Sequence, residues 1–150
     1  MATNGNSLIF HIPTVFVNLR NNTGVIKRYE LEICNLKETS EKRKVKWNSF
    51  CNYEDHNWTE GKKIFSIPVE EKSSVKECIT FNVINNFDIN KGMYKLTLTI
   101  YLFERKNKVH FKIQRYFDIG DSEALEIEDI KKTGSTEYYN RPIHLKEQIY

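Results

Sequence analysis

A chain of 150 residues, 39% hydrophobic and 29% charged, is long enough to bury a core as one domain and too apolar to remain disordered. It carries 23 Lys and Arg against 20 Asp and Glu, and a net charge of +3 is too small to single out nucleic acid or an anionic membrane as its partner. No window approaches the roughly 18 consecutive apolar residues of a membrane span, and residues 1–7 are polar where a signal peptide would be apolar. The expectation is a cytoplasmic protein, with a secreted mature chain lacking its signal peptide as the alternative.

Aromatic residues make up 13% of the chain, which favours strands, and Asn supplies turns where Gly and Pro are scarce. In residues 8–19, Leu8, Phe10 and Ile12 alternate with Ile9 and His11. Pro13 interrupts, then Val15, Val17 and Leu19 resume the ladder, a pattern that predicts an edge strand or a bulge. After the turn Asn21-Asn22-Thr23-Gly24, Tyr29, Leu31 and Ile33 mark a second strand, and Val45 and Trp47 a third beyond a polar connection. Residues 48–61 have no clear period and predict the longest loop. Phe65, Ile67 and Val69 predict a fourth strand over 63–69 with all three on one face, and Ile79, Phe81 and Val83 a fifth over 75–84.

The clearest pattern lies in 92–102. Tyr94, Leu96, Leu98, Ile100 and Leu102 face one way, and Lys95, Thr97 and Thr99 the other, as in a half-buried antiparallel strand. A charged hairpin at 104–108 leads to a seventh strand over 109–119. There Val109, Phe111, Ile113, Phe117 and Ile119 share a phase that Arg115 interrupts, which predicts a wet face or a bulge. Residues 122–132 fit either a strand, through Leu125 and Ile127, or a short helix capped by Ser122. Residues 135–150 dock as an extra strand or wait for a partner.

About seven short strands joined by turns describe an all-β, two-layer antiparallel β-sandwich over 1–120, with a C-terminal extension over 121–150. The segment Asn90-x-Gly92-x-Tyr94-x-Leu96 resembles the start of strand F in immunoglobulin-like domains, and Trp47 resembles the Trp that such domains bury on strand C. The resemblance implies an immunoglobulin-like β-sandwich over residues 8–119, with the Tyr94 hydroxyl tied to the preceding turn as a tyrosine corner. Leu96 stands where that group has a Cys, so its inter-sheet disulfide is not expected. The Gly-x-Tyr strand is also similar to that of lipid-carrying sandwiches of the MD-2-related type.

Cys34, Cys51 and Cys78 are odd in number, and reduced buried thiols are the simplest reading, with one disulfide plus a free thiol as the other. A zinc site would draw on Cys51 and His56 with Cys34 or Cys78, but no close Cys or His pair exists, so no metal or cofactor is expected. Glu54-Asp55-His56 beside Cys51 offers a hydrolase arrangement built on Asp55 and His56. Nucleophile-elbow, phosphate-loop and dinucleotide motifs are missing, and no catalytic residue is assigned. Lys42-Arg43-Lys44-x-Lys46 and Arg105-Lys106-x-Lys108 would make a basic strip for nucleic acid, yet lysines at strand edges and hairpin tips more simply block stray pairing.

Recognition of another protein is the favoured function. The aromatic loop holding Tyr53, His56 and Trp58, the hairpin with Arg105 and Lys106, and the tail with Tyr138 and Tyr139 are the candidate contacts. Pairing through an exposed edge strand would also make a homodimer. The alternative is a carrier of an apolar ligand, with Phe10, Phe65, Phe81, Phe111 and Phe117 lining its cavity.

Overall fold

The computed structural model describes residues 1–3, 7–37, 42–54, 57–84, 89–103, 109–133, 139–140 and 143–147, with the backbone alone at 2, 7, 53–54, 57–58, 60, 83–84, 109–110 and 139–140. The strands are β1 (Ala2–Thr3), β2 (Ser7–Val17), β3 (Gly24–Asn35), β4 (Lys42–Glu54), β5 (Asn57–Lys63), β6 (Ile67–Val69), β7 (Ser74–Ile84), β8 (Gly92–Leu102), β9 (Val109–Ile119) and β10 (Tyr139–Asn140). Helix α1 (Asp121–Thr133) follows β9. The class is all-β. One continuous antiparallel sheet runs in the order β10-β1-β2-β7-β4-β3-β8-β9, with β5 beside β4 and β6 beside β3.

The sheet is curled, and β4 makes the curl. Its first residues pair with β3, from Lys42↔Cys34 to Lys46↔Glu30. From Trp47 on it pairs with β7, and from Ser49 on with β5 as well. Register shifts at Trp47/Ser49 and Ser49/Cys51 mark the bend. The two halves of the sheet thus face one another, and their inward side chains form the core. Phe10 of β2 meets Phe117 of β9 edge-on, with ring centroids 6.1 Å apart, and Phe117 stacks on Tyr94 of β8 at 5.1 Å. Tyr29 sits between Phe16 and Trp47 at 5.4 and 4.9 Å. Leu8, Ile79, Phe81, Leu31, Ile33 and Ile119 are buried around them. Each such side chain contributes about 1.5–3 kcal/mol by leaving water.

The Tyr94 hydroxyl donates to the Asn90 carbonyl and accepts from the Asn90 amide, both at 2.8 Å. Gly92, between them, takes a φ of +150°, a conformation that a side chain resists. Helix α1 is capped by Gly120, not Ser122. The Gly120 amide donates to Glu123 Oε2 at 2.8 Å, and Ala124 N reaches back to the Gly120 carbonyl at 3.1 Å. Asp121 and Glu123 in the first turn, and Lys131 and Lys132 in the last, complement the helix dipole. Ile127 is the buried residue that docks the helix on the core.

Several expectations are corrected. Within the span predicted as a loop, residues 48–54 and 57–61 are strand: β4 runs on to Glu54 and pairs antiparallel with β5. Strand β5 has no apolar face to announce it, and backbone pairing holds it so close that a Cβ on Gly61 would lie 3.0 Å from the Phe50 carbonyl. The fourth strand is only Ile67–Val69, and Phe65 is 86% exposed. Cys51 and Cys78 are joined as a disulfide, with Cα atoms 5.2 Å apart, while Cys34 is free and buried. The register that puts Phe50 opposite Ile79 sets these two cysteines opposite each other in neighbouring strands. Of the two readings at Arg115 the wet face holds, with Phe111 and Ile113 of its phase exposed, and there is no bulge there: the register shift falls between Ile100 and Tyr101.

Candidate functional site

The phase of β2 decides where apolar surface is left outside. Its pairing with β7 is unbroken from Ser7↔Ile84 to Val17↔Ser74, through Pro13↔Cys78. Pro13 therefore does not switch the phase. Leu8 and Phe10 point inward, and Val15 and Val17 point out, 59% and 63% exposed. Beyond them Leu19 is 84% exposed in the loop to β3.

That loop is built, not slack. The Asn18 side-chain amide donates to the carbonyls of Asn22, Val69 and Glu70 at 2.8, 3.0 and 3.0 Å. Its Oδ1 accepts from the Arg20 amide at 3.1 Å, and its backbone N–H donates to the Ser73 carbonyl at 2.9 Å. The Lys72 amide donates to the Arg20 carbonyl at 3.2 Å. One Asn thus ties the 18–22 loop to the 69–73 turn and holds Leu19 in water on a firm base.

Between this loop and the ends of β8 and β9 the surface is concave. A groove of about 360 Å³ opens there, lined by Phe16, Ile26, Val69, Ile100, Leu102 and Phe111 among others. Several of these are core positions, so the groove is the mouth of the core itself. Phe111 and Ile113 keep the inward phase of β9 yet are 56% and 40% exposed. Phe103 extends the apolar surface past β8. Its amide donates to the Val25 carbonyl at 2.9 Å, and the Lys27 ammonium lies 6.0 Å from its ring. Among the described lining residues Arg20 alone is ionisable, and most of the others are apolar.

Two other concavities are of a different kind. A cleft of about 580 Å³ between α1 and residues 89–91 is spanned by the Lys91–Asp121 ion pair at 2.7 Å, and on its helix wall Lys132 pairs with Glu128 one turn away, also at 2.7 Å. A third, of about 220 Å³ on the outer face, is a polar network in which Tyr101 donates to Glu30 at 2.9 Å and Lys44 meets Glu32 at 3.5 Å. It also answers the basic strip in β4: Lys44 and Lys46 stand opposite Glu32 and Glu30 in the β3 register.

The predicted contacts fare unevenly. Tyr53 and Trp58 face each other in the β4–β5 register, and Tyr139 stands opposite Thr3 in β10, all described by backbone alone. Asp55, His56, Arg105, Lys106 and Tyr138 lie outside the described residues. The disulfide removes the Cys51 and Cys78 thiolates from any zinc site. Of the five Phe residues weighed for a ligand cavity, Phe10, Phe81 and Phe117 are buried in the core, Phe65 is in solvent, and Phe111 lines the mouth. The mouth itself was visible in the sequence as apolar residues in both phases of 15–17, where a half-buried strand would alternate. His11, in the outward phase, has its pKa pushed down to about 4 by burial, reinforced by a neighbouring positive charge, and its Nδ1 lies 3.2 Å from Thr80 Oγ1.

The sequence matches no family model and no curated protein. The assignment of function therefore rests on the geometry of the mouth.

Proposed function

We propose that this chain is a non-catalytic protein-binding module, an immunoglobulin-like sandwich in kind, and that the apolar mouth is where a partner protein docks. The fold reading draws on the Tyr94–Asn90 hydrogen bonds, on Trp47 packed against Tyr29, and on ring contacts between the halves of the sheet. One observation carries the functional reading: Val15, Val17, Leu19, Phe103 and Phe111 stand exposed in or beside a groove that reaches the core. Such a patch costs solubility, and an apolar surface of this kind marks interaction sites. The Cys51–Cys78 bridge favours an oxidising compartment over the cytoplasm.

The test compares proteins captured from host extract by the full chain and by Phe111→Asp and Leu19→Asp variants. Specific partners lost from both variants, whose thermal unfolding is unchanged, support the reading. Partners retained by both variants sink it. A second reading, a carrier of an apolar ligand, draws on the continuity of the groove with Ile26 and Ile100. Native mass spectrometry of gently purified protein decides it: an acyl ligand that co-purifies supports the carrier, and its repeated absence removes it.

A further inference from the structure

Strand β9 is the last in the sheet order, and its outer side is an edge. Among the described residues, the pairing on that side is a bridge between Tyr116 and Lys146. It exchanges both backbone hydrogen bonds: Tyr116 N donates to the Lys146 carbonyl at 2.9 Å, and Lys146 N to the Tyr116 carbonyl at 2.7 Å. At the next residue of the tail the Glu147 carboxylate meets the Arg115 guanidinium at 3.0 Å. The edge thus already accepts an extended segment, antiparallel, with a carboxylate opposite its arginine.

Strand alternation fixes what lies further along. Tyr116 directs its N–H and C=O outward, so Gln114 and Lys112 do the same, while Phe111, Ile113 and Arg115 bond toward β8. The Arg115 guanidinium reaches over and donates to the Gln114 carbonyl at 2.9 Å. Phe111 and Ile113 carry their exposed side chains on the groove side, and Lys112 is exposed on the other. A strand added here would set apolar residues beside Ile113 and Phe111, since directly opposed residues share a face. It would set an acidic residue opposite Arg115 and gain from another opposite Lys112. A second copy of β9 is a poor match, because it brings its own Lys112 and Arg115.

Resting on the protein-binding reading above, we propose that the Lys112–Tyr116 edge of β9 is a strand-addition site for an extended segment of a partner protein, acidic opposite Arg115 and apolar along the mouth. The chain's own Lys146 and Glu147 hold the first part of that site and compete with the partner for it.

The probe is a labelled synthetic peptide with the sequence of residues 143–150, which supplies the Lys-Glu pair and a following Gln-Ile-Tyr. The receptor is the full chain carrying Lys146→Pro, which deletes the amide that donates to Tyr116 and frees the edge. Saturable binding to this variant is expected, weaker by at least about tenfold for the unaltered chain, whose tail competes. Two changes to the peptide should abolish it: Lys in place of the Glu, and N-methylation at the residue two beyond the peptide's lysine, which removes a ladder donor. Both leave the receptor untouched, so misfolding is no escape. Lys112→Pro in the receptor should weaken binding too, because that N–H faces away from β8. No saturable binding to the Lys146→Pro chain overturns the proposal, as does binding indifferent to the charge reversal and the N-methyl group. Partner capture lost in Phe111→Asp alongside a silent peptide assay would retain the mouth as an interface and remove the strand-addition site.

Discussion

The two ends of β2, β8 and β9 obey the same alternation and meet opposite fates. At one end Phe10, Tyr94 and Phe117 are almost wholly buried, and at the other Phe111 of the same face is more than half exposed. Alternation fixes which way a side chain points, but how deeply it is buried depends on what stands across from it. At the closed end the Tyr94–Asn90 bonds fix the turn into β8, Ile127 of the helix packs into the core, and the tail bridges to Tyr116 on the outer edge of β9. At the open end the Asn18-centred loop fixes the rim without covering it.

Substitutions can break that contrast, and the largest effect belongs to the closed end. Phe117→Ala should cost about 3–5 kcal/mol in chemical denaturation, whereas Phe111→Ala should fall nearer about 1 kcal/mol because half of its ring is already in water. Equal losses at the two positions would mean that the mouth is part of the packed core. Replacing both Cys51 and Cys78 by Ser opens a loop spanning 27 residues and should cost about 2–4 kcal/mol, read as a lower melting temperature. Tyr94→Phe leaves the Asn90 amide and carbonyl without their partner and should cost about 1–3 kcal/mol. A neutral outcome there would show that the turn needs no tie.

A further test sharpens the comparison through pH. His11 titrates near 4 in the folded chain and 6.5 when unfolded, so between those values the unfolded chain binds more protons. Stability should be full above pH 6.5 and decline as pH falls toward 4. A His11→Asn chain should lose less over the same window. Identical profiles for the two chains would remove His11 as the cause.

Much of the sheet was legible in the sequence because its strands are half-buried. The run from Tyr94 to Leu102 needed only its period of two, and Ile79 and Phe81 are both buried as their phase required. Strand β5 was illegible for a physical reason. Its sequence Asn57–Lys63 has no apolar alternation to read, and the strand is defined by backbone pairing to β4. The disulfide depends on a register between strands 27 residues apart, which composition cannot report. At Pro13 the sequence predicts an edge strand or a bulge, and there is no bulge: the ladder to β7 runs unbroken through Pro13↔Cys78. No contact was expected at Val15 or Val17, although apolar residues occupy both phases of 15–17.

Strand β4 gives its first residues to one half of the sheet and its last to the other. Neither half then owns a full complement of strands, and neither can melt while the other persists. Heating should give a single step, with calorimetric and van't Hoff enthalpies in agreement.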